Sequence, residues 1–74
     1  MNPTKGRQVE LTVNGVGRSL PDAATVADLV GEVTADRRGV AVAVNGEVVP
    51  RTGWPGTTLR DGDRVEVLSA AQGG

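Results

Sequence analysis

The sequence predicts an α+β fold: a mixed four- to five-stranded sheet with one main helix packed on one face. Three observations predict it. Apolar residues alternate with period two near the start, in the middle and near the end of the chain. Two Asn-Gly pairs, at Asn14-Gly15 and Asn45-Gly46, mark tight hairpin turns. A single stretch, opening at Thr25, has helical apolar spacing behind a capping signal. At 74 residues the chain makes one small domain, near the lower limit for a core without disulfides or metal.

Residues 1–7 contain Asn2, Pro3, Lys5, Gly6 and Arg7 without an apolar pattern, and are read as a disordered N-terminal extension. From Gln8, the residues Val9, Leu11 and Val13 face one way and Gln8, Glu10 and Thr12 the other, which is a half-buried strand. Asn14-Gly15 suits a type I′ turn, because both central residues of that turn need positive φ. Val16 to Leu20 is the returning strand, closed by Pro21. Thr25 and Asp28 form a capping box, with the hydroxyl and the carboxylate each reaching the other residue's amide. Val26, Leu29, Val30 and Val33 then line one face of an amphipathic helix. Arg37 and Arg38 suit the negative end of its dipole, and Gly39 suits a left-handed cap.

Val40 to Val44 is a strand with valines on one face and alanines on the other, and Asn45-Gly46 turns it into a short strand, Glu47 to Val49, stopped by Pro50. Arg51 to Gly56 reads as irregular, and Thr57 to Leu59 as a brief edge segment. Asp61-Gly62-Asp63 makes a tight turn into a last strand, Arg64 to Leu68, with Val65 and Val67 facing inward. This order and these lengths describe a β-grasp, or ubiquitin-like, domain over residues 8–68, followed by a flexible tail over residues 69–74.

Composition excludes several functions. With no cysteine there is no disulfide, thiolate nucleophile or thiolate metal site, and a cytoplasmic location is expected. With no histidine the usual general base and the commonest metal ligand are missing. Eight basic and nine acidic residues are dispersed to a net charge of −1, and Trp54 is the one aromatic, so no nucleic-acid surface is expected. No apolar run approaches a membrane span, and no secretory signal is read at the N-terminus. No catalytic residue, no metal and no bound cofactor are expected, which points to a carrier or binding module instead of an enzyme.

The chain stops at Gly73-Gly74. A terminal glycine carries an α-carboxylate with no side chain to shield it, and a preceding glycine lets the end enter a narrow channel. At about 3.3 Å per residue, the stretch from Ser69 reaches roughly 20 Å, enough to place a carboxyl group in another protein's active site. A frayed terminus without a role is the alternative reading. Asp61 and Asp63 are read as turn residues and not as metal ligands, since no further ligands cluster with them. Arg51 and Trp54 are either a loop pinned to the body or an interaction anchor. The sheet face away from the helix carries Ala41, Ala43, Arg64, Glu66 and Leu68, with Glu10 and Thr12 nearby, a flat and partly apolar surface suited to docking a partner.

The segment Val42-Ala43-Val44-Asn45-Gly46-Glu47-Val48-Val49-Pro50-Arg51, followed by Trp54, resembles the central signature of the ThiS family of thiamine-biosynthesis sulfur carriers. Leu59 to Leu68 resembles that family's final turn and strand, and the chain ends in the diglycine the family requires. The resemblance covers about residues 8–74; the extra N-terminal residues and the polar Gln72 before the glycines depart from the pattern. It implies that Gly74 is the covalent attachment site, presented by Gly73 and Gln72. A ThiF-type enzyme would use ATP to adenylate the Gly74 carboxylate, and a sulfur donor such as a cysteine desulfurase system would convert it to a thiocarboxylate. Thiazole synthase (ThiG) would then take the sulfur. Asp-Gly-Asp and a terminal diglycine also occur in the molybdopterin-synthase small subunit, so a MoaD-like sulfur carrier for molybdopterin or another thiocarboxylate-dependent pathway remains an alternative. So do a ubiquitin-like modifier that forms isopeptide bonds and a non-covalent binding module.

Overall fold

Residues 7–34 and 38–69 are described in the computed structural model. They form a five-stranded sheet in the order β2-β1-β5-β3-β4, with β1 Gln8–Val13, β2 Val16–Pro21, β3 Val40–Val44, β4 Glu47–Val49 and β5 Arg64–Ser69. One helix, α1 Val26–Val33, crosses one face. The expected α+β architecture is therefore present, with the sheet at the upper of the two expected strand numbers.

Local chemistry explains each hairpin. Asn14 (φ 53°) and Gly15 (φ 84°) turn β1 into β2, and Asn45 (φ 52°) and Gly46 (φ 87°) turn β3 into β4. Positive φ at both central residues marks the type I′ turn, whose twist matches that of the flanking strands. Alternation in β1 lands as expected: Val9, Leu11 and Val13 are buried, Gln8 and Glu10 exposed. In the returning strand only Leu20 is buried, because β2 is a sheet edge that the helix barely covers. Arg18 on that edge meets Glu32 of α1 at 3.2 Å.

The capping box at Thr25 and Asp28 is formed, with the Asp28 amide donating to the Thr25 hydroxyl and the Thr25 amide to the Asp28 carboxylate. The far end of α1 differs from expectation. The helix stops at Val33, and Thr34 is extended (φ −149°, ψ 145°) while its amide still donates to the Val30 carbonyl. Gly39 (φ 69°) does not cap the helix; with Arg38 it forms the turn that starts β3. Arg37 lies outside the described residues. A weak helix former at Gly31 and a β-branched Val33-Thr34 end shorten the helix, so the left-handed glycine serves the strand entry instead.

Three further segments differ in detail. Arg51–Gly56, read as irregular, is a 3₁₀ helix, entered from Pro50. Thr57–Leu59 is not an edge of the sheet. Thr58 pairs with Thr25, the Val26 amide donates to the Thr57 carbonyl and the Leu59 amide to the Ala24 carbonyl, so the segment holds the start of α1. The last strand runs one residue further than expected, with Ser69 paired to Val40. Residues 1–6, most of the expected N-terminal extension, lie outside the described residues; Arg7 accepts a hydrogen bond from the Asp22 amide at 3.3 Å.

The core lies between α1 and the sheet. Leu20, Leu29, Leu59, Val26, Val30, Val42 and Val65 are almost completely buried, joined by Val9, Leu11, Val13, Ala24 and Trp54. Full burial of each Val or Leu contributes about 1.5–3 kcal/mol, which is how so small a chain sustains a body. β5 lies in the middle of the sheet, parallel to β1 and antiparallel to β3. The strand that leads towards residues 70–74 is therefore held on both flanks at its start.

Candidate functional site

The expected reactive group, the Gly74 carboxylate, lies outside the described residues together with Gly73 and Gln72. What the structure describes is the platform from which residues 70–74 depart. That platform is β5. Val40 pairs with Ser69, Ala41 with Leu68, Val42 with Val67, Ala43 with Glu66 and Val44 with Val65. On the other flank the parallel register with β1 covers only Arg64 and Val65, opposite Thr12 and Val13.

Two asparagine side chains complete what the strands leave undone. Asn45 lies at the β3–β4 turn; its Oδ1 accepts from the Arg64 amide at 2.9 Å and its Nδ2 donates to the Asp63 carboxylate at 2.9 Å. Asn14 lies at the β1–β2 turn; its Oδ1 accepts from the Val67 amide at 2.9 Å and its Nδ2 donates to the Val67 carbonyl at 3.1 Å. Both were read from sequence only as turn residues. Their second role joins positions far apart in the chain, and nothing in local pattern signals it.

Asp61 and Asp63 act as backbone acceptors. Asp61 takes the Glu10 amide at 2.7 Å, and Asp63 takes the Arg60 amide at 2.9 Å as well as the Asn45 side chain. Together with the Gly62 amide bond to the Glu10 carbonyl, they seat the turn on β1 just before β5 begins. Among the described residues, no group of three or more His, Cys, Asp or Glu is arranged to hold a metal ion.

The face away from the helix gathers the residues expected there. The register aligns Ala41 with Leu68, Ala43 with Glu66 and Thr12 with Arg64. Ala41, Arg64, Glu66 and Leu68 are exposed and Ala43 is half-buried. Val48 belongs to the same face, since it pairs with Ala43 from the other side. It was missed in the sequence, although a two-residue hairpin at Asn45-Gly46 already fixes that register. Leu68 and Val48 are 67% and 74% exposed, so the face presents apolar side chains to solvent beside the strand leading to the tail.

Arg51 and Trp54 do not join this face. Trp54 is only 3% exposed, and its indole Nε1 donates to the Val49 carbonyl at 3.0 Å. The ring is committed to pinning the 3₁₀ helix to the body, so as a docking contact Trp54 is corrected to a core residue. Arg51 is exposed and lies over the ring at 6.0 Å from its centroid, on a segment that packs against α1. The burial arises because a large ring that can satisfy its one donor on a nearby carbonyl is worth more in the core than in water.

Comparison with known proteins agrees with this geometry. A crystal structure of a thiamine biosynthesis protein (ThiS) from Geobacter metallireducens superimposes with a TM-score of 0.74 at 36% identity, covering 82% of this chain and 93% of that one. The sulfur carrier protein ThiS of Thermus thermophilus is 39% identical over 84% of this chain and 95% of its own length. A protein named thiazole synthase, from Paramagnetospirillum magneticum, is 36% identical over 89% of this chain, which spans only 20% of that relative's length. The model of the ThiS family matches residues 6–74. The chain belongs to the ThiS family, the sulfur carrier proteins of thiamine biosynthesis.

Proposed function

We propose that this chain carries sulfur as a thiocarboxylate on Gly74, presented by Gly73 and Gln72, and delivers it to thiazole synthase. The observation that carries the proposal is the family match over residues 6–74, which runs through the terminal diglycine. A carboxylate, with a pKa of roughly 3.5, is ionised at neutral pH and is a poor electrophile. In the proposed sequence a ThiF-type enzyme directs the Gly74 carboxylate oxygen onto the α-phosphorus of ATP, and pyrophosphate leaves. The terminal sulfur of a donor persulfide, such as one from a cysteine desulfurase system, then attacks the carbonyl carbon and AMP leaves. A second thiol of the donor, as thiolate, attacks the donor-side sulfur of the resulting acyl disulfide; a disulfide forms within the donor, the original sulfur–sulfur bond breaks, and the thiocarboxylate is released on Gly74.

ATP in this scheme is the partner's substrate, and the chain supplies no catalytic side chain. Docking is assigned to Ala41, Ala43, Arg64, Glu66 and Leu68 with Val48, beside the strand from which the tail departs. Thiazole synthase as the acceptor is supported by the relative of that name, which contains a stretch similar to this chain within one longer polypeptide. The reactions belong to the cytoplasm. Among the described residues, no helix is long and apolar enough to cross a membrane.

Intact mass spectrometry tests the proposal. Incubated with a ThiF-type enzyme, ATP and a persulfide donor, the full chain should gain the mass of one oxygen-to-sulfur exchange. A chain lacking Gly73 and Gly74 should gain nothing while keeping its thermal midpoint. Absence of the exchange in the intact chain would refute the carrier function. Co-purification with the large subunit of molybdopterin synthase in place of thiazole synthase would keep the chemistry but change the acceptor.

A further inference from the structure

We infer that Asn14 is a positioning residue for sulfur transfer: by clamping Val67 it sets where, and in what direction, the chain leaves the sheet towards Gly74. The inference rests on the carrier function proposed above, because it concerns how the tail is aimed.

The observations lie in how β5 is paired along its length. Its groups alternate between neighbours. The Asn14 amide donates to the Val65 carbonyl at 2.9 Å, and the Asn45 amide donates to the Arg64 carbonyl at 2.7 Å, so Val65 faces β1 and Arg64 faces β3. By the period of two, Val67 also faces the β1 side. But β1 ends at Val13, and the chain turns away at Asn14-Gly15. Val67 would then have no strand beside it. The Asn14 side chain supplies that rung, with its carbonyl oxygen on the Val67 amide and its amide nitrogen on the Val67 carbonyl. Only one orientation of the side-chain amide satisfies both bonds.

Asn14 thus copies a strand residue at Val67, the last position of β5 with a partner on this flank among the described residues. Beyond it, among the described residues, only β3 holds the strand, at Leu68 and Ser69 opposite Ala41 and Val40. A strand bonded on one side can swing about that bond line, whereas a strand held on both sides keeps its direction. Group transfer to a buried site is sensitive to aim, and a displacement of about 1 Å can cost on the order of a hundredfold in rate.

Asn45 provides the matched comparison. It occupies the same position of the other type I′ turn, with nearly the same φ, and also makes two side-chain bonds to the β5 region, but at the strand's start, on Asp63 and Arg64. Asn14→Gly and Asn45→Gly each keep a turn that accepts positive φ while removing two side-chain bonds. A purely structural role predicts similar behaviour from both; the positioning role does not.

The experiment measures amide hydrogen exchange on the free full-length chain, and kcat and KM for sulfur loading by the adenylating partner. In N14G the Val67 amide should lose its protection, and kcat should fall roughly tenfold with KM close to that of the unsubstituted chain, since the docking face is intact. In N45G the Val67 amide should stay protected and kcat should stay within about twofold, although stability falls to a similar degree. An unchanged Val67 amide in N14G, or an equal loss of kcat in both variants, would overturn the inference. If the unsubstituted chain itself takes up no sulfur, the carrier function fails, and the exchange measurement alone decides whether Asn14 tethers the strand.

Discussion

Trp54 shows how one side chain's fate turns on a single acceptor. An indole brings a large apolar ring and one obligatory donor, and the Val49 carbonyl at 3.0 Å takes that donor within the fold. Replacing Trp54 by Phe keeps most of the ring but leaves the carbonyl without its partner and a gap in the core. The variant should lose about 1–3 kcal/mol in urea denaturation followed by far-UV circular dichroism. A loss under about 0.5 kcal/mol would mean that Trp54 does not pin the 3₁₀ helix. Ala23 is a second residue that local pattern does not explain. It has a φ of 76° in the turn closed by the Ala24 amide and the Pro21 carbonyl, a conformation that glycine usually occupies. Alanine there is held by its surroundings, with Leu20 and Ala24 both buried on either side of the turn.

Among the elements, α1 depends most on tertiary support. It is only eight residues long and carries Gly31 on its exposed side, so on its own it would not persist in water. Three devices hold it: the capping box at Thr25 and Asp28, the pairing of 57–59 with 24–26, and the burial of Val26, Leu29 and Val30. Gly31→Ala removes backbone freedom from the unfolded chain and adds a good helix former at an exposed position. It should raise stability by about 0.5–1 kcal/mol, read as a rise in the thermal midpoint. A fall would show that the position needs glycine for close packing. The spacing of Val26, Leu29, Val30 and Val33 made the helix legible, but not its end. Arg37, Arg38 and Gly39 are good termination chemistry, yet the backbone turns extended at Thr34 first. Stop signals specify what can end a helix, and here the weak helix formers Gly31, Val33 and Thr34 end it before those signals are reached.

For the whole molecule, the division of labour is between two faces of one sheet. The helix side is the core, and the other side leaves Leu68 and Val48 exposed beside the strand that continues to the tail. Since these two side chains lie mostly in solvent, Val48→Asp with Leu68→Asp should change stability by no more than about 1 kcal/mol. The same pair should sharply weaken loading by the adenylating partner, as a rise in KM, because two charges would have to be desolvated in the docked complex. A variant that loads normally would remove this face from the docking site. Most of the face was legible from alternation in the two strands: Ala41, Ala43, Arg64, Glu66 and Leu68 fall where period two places them. Val48 required the strand register, and Trp54 required knowing which carbonyl its indole could reach.

By itself, the sequence determined the features that depend on neighbours in the chain: both type I′ turns, the capping box, and the inward valines and leucines. These follow from backbone sterics and from the fixed periods of strand and helix, which act over a few residues. Only the tertiary structure decided that β5 lies between β1 and β3, that Asn14 holds Val67 across 53 positions of sequence, and that the 57–59 segment supports the helix and not the sheet. Such pairings are selected by burying one shared core and leaving no buried backbone group without a partner. No short window of residues contains that condition.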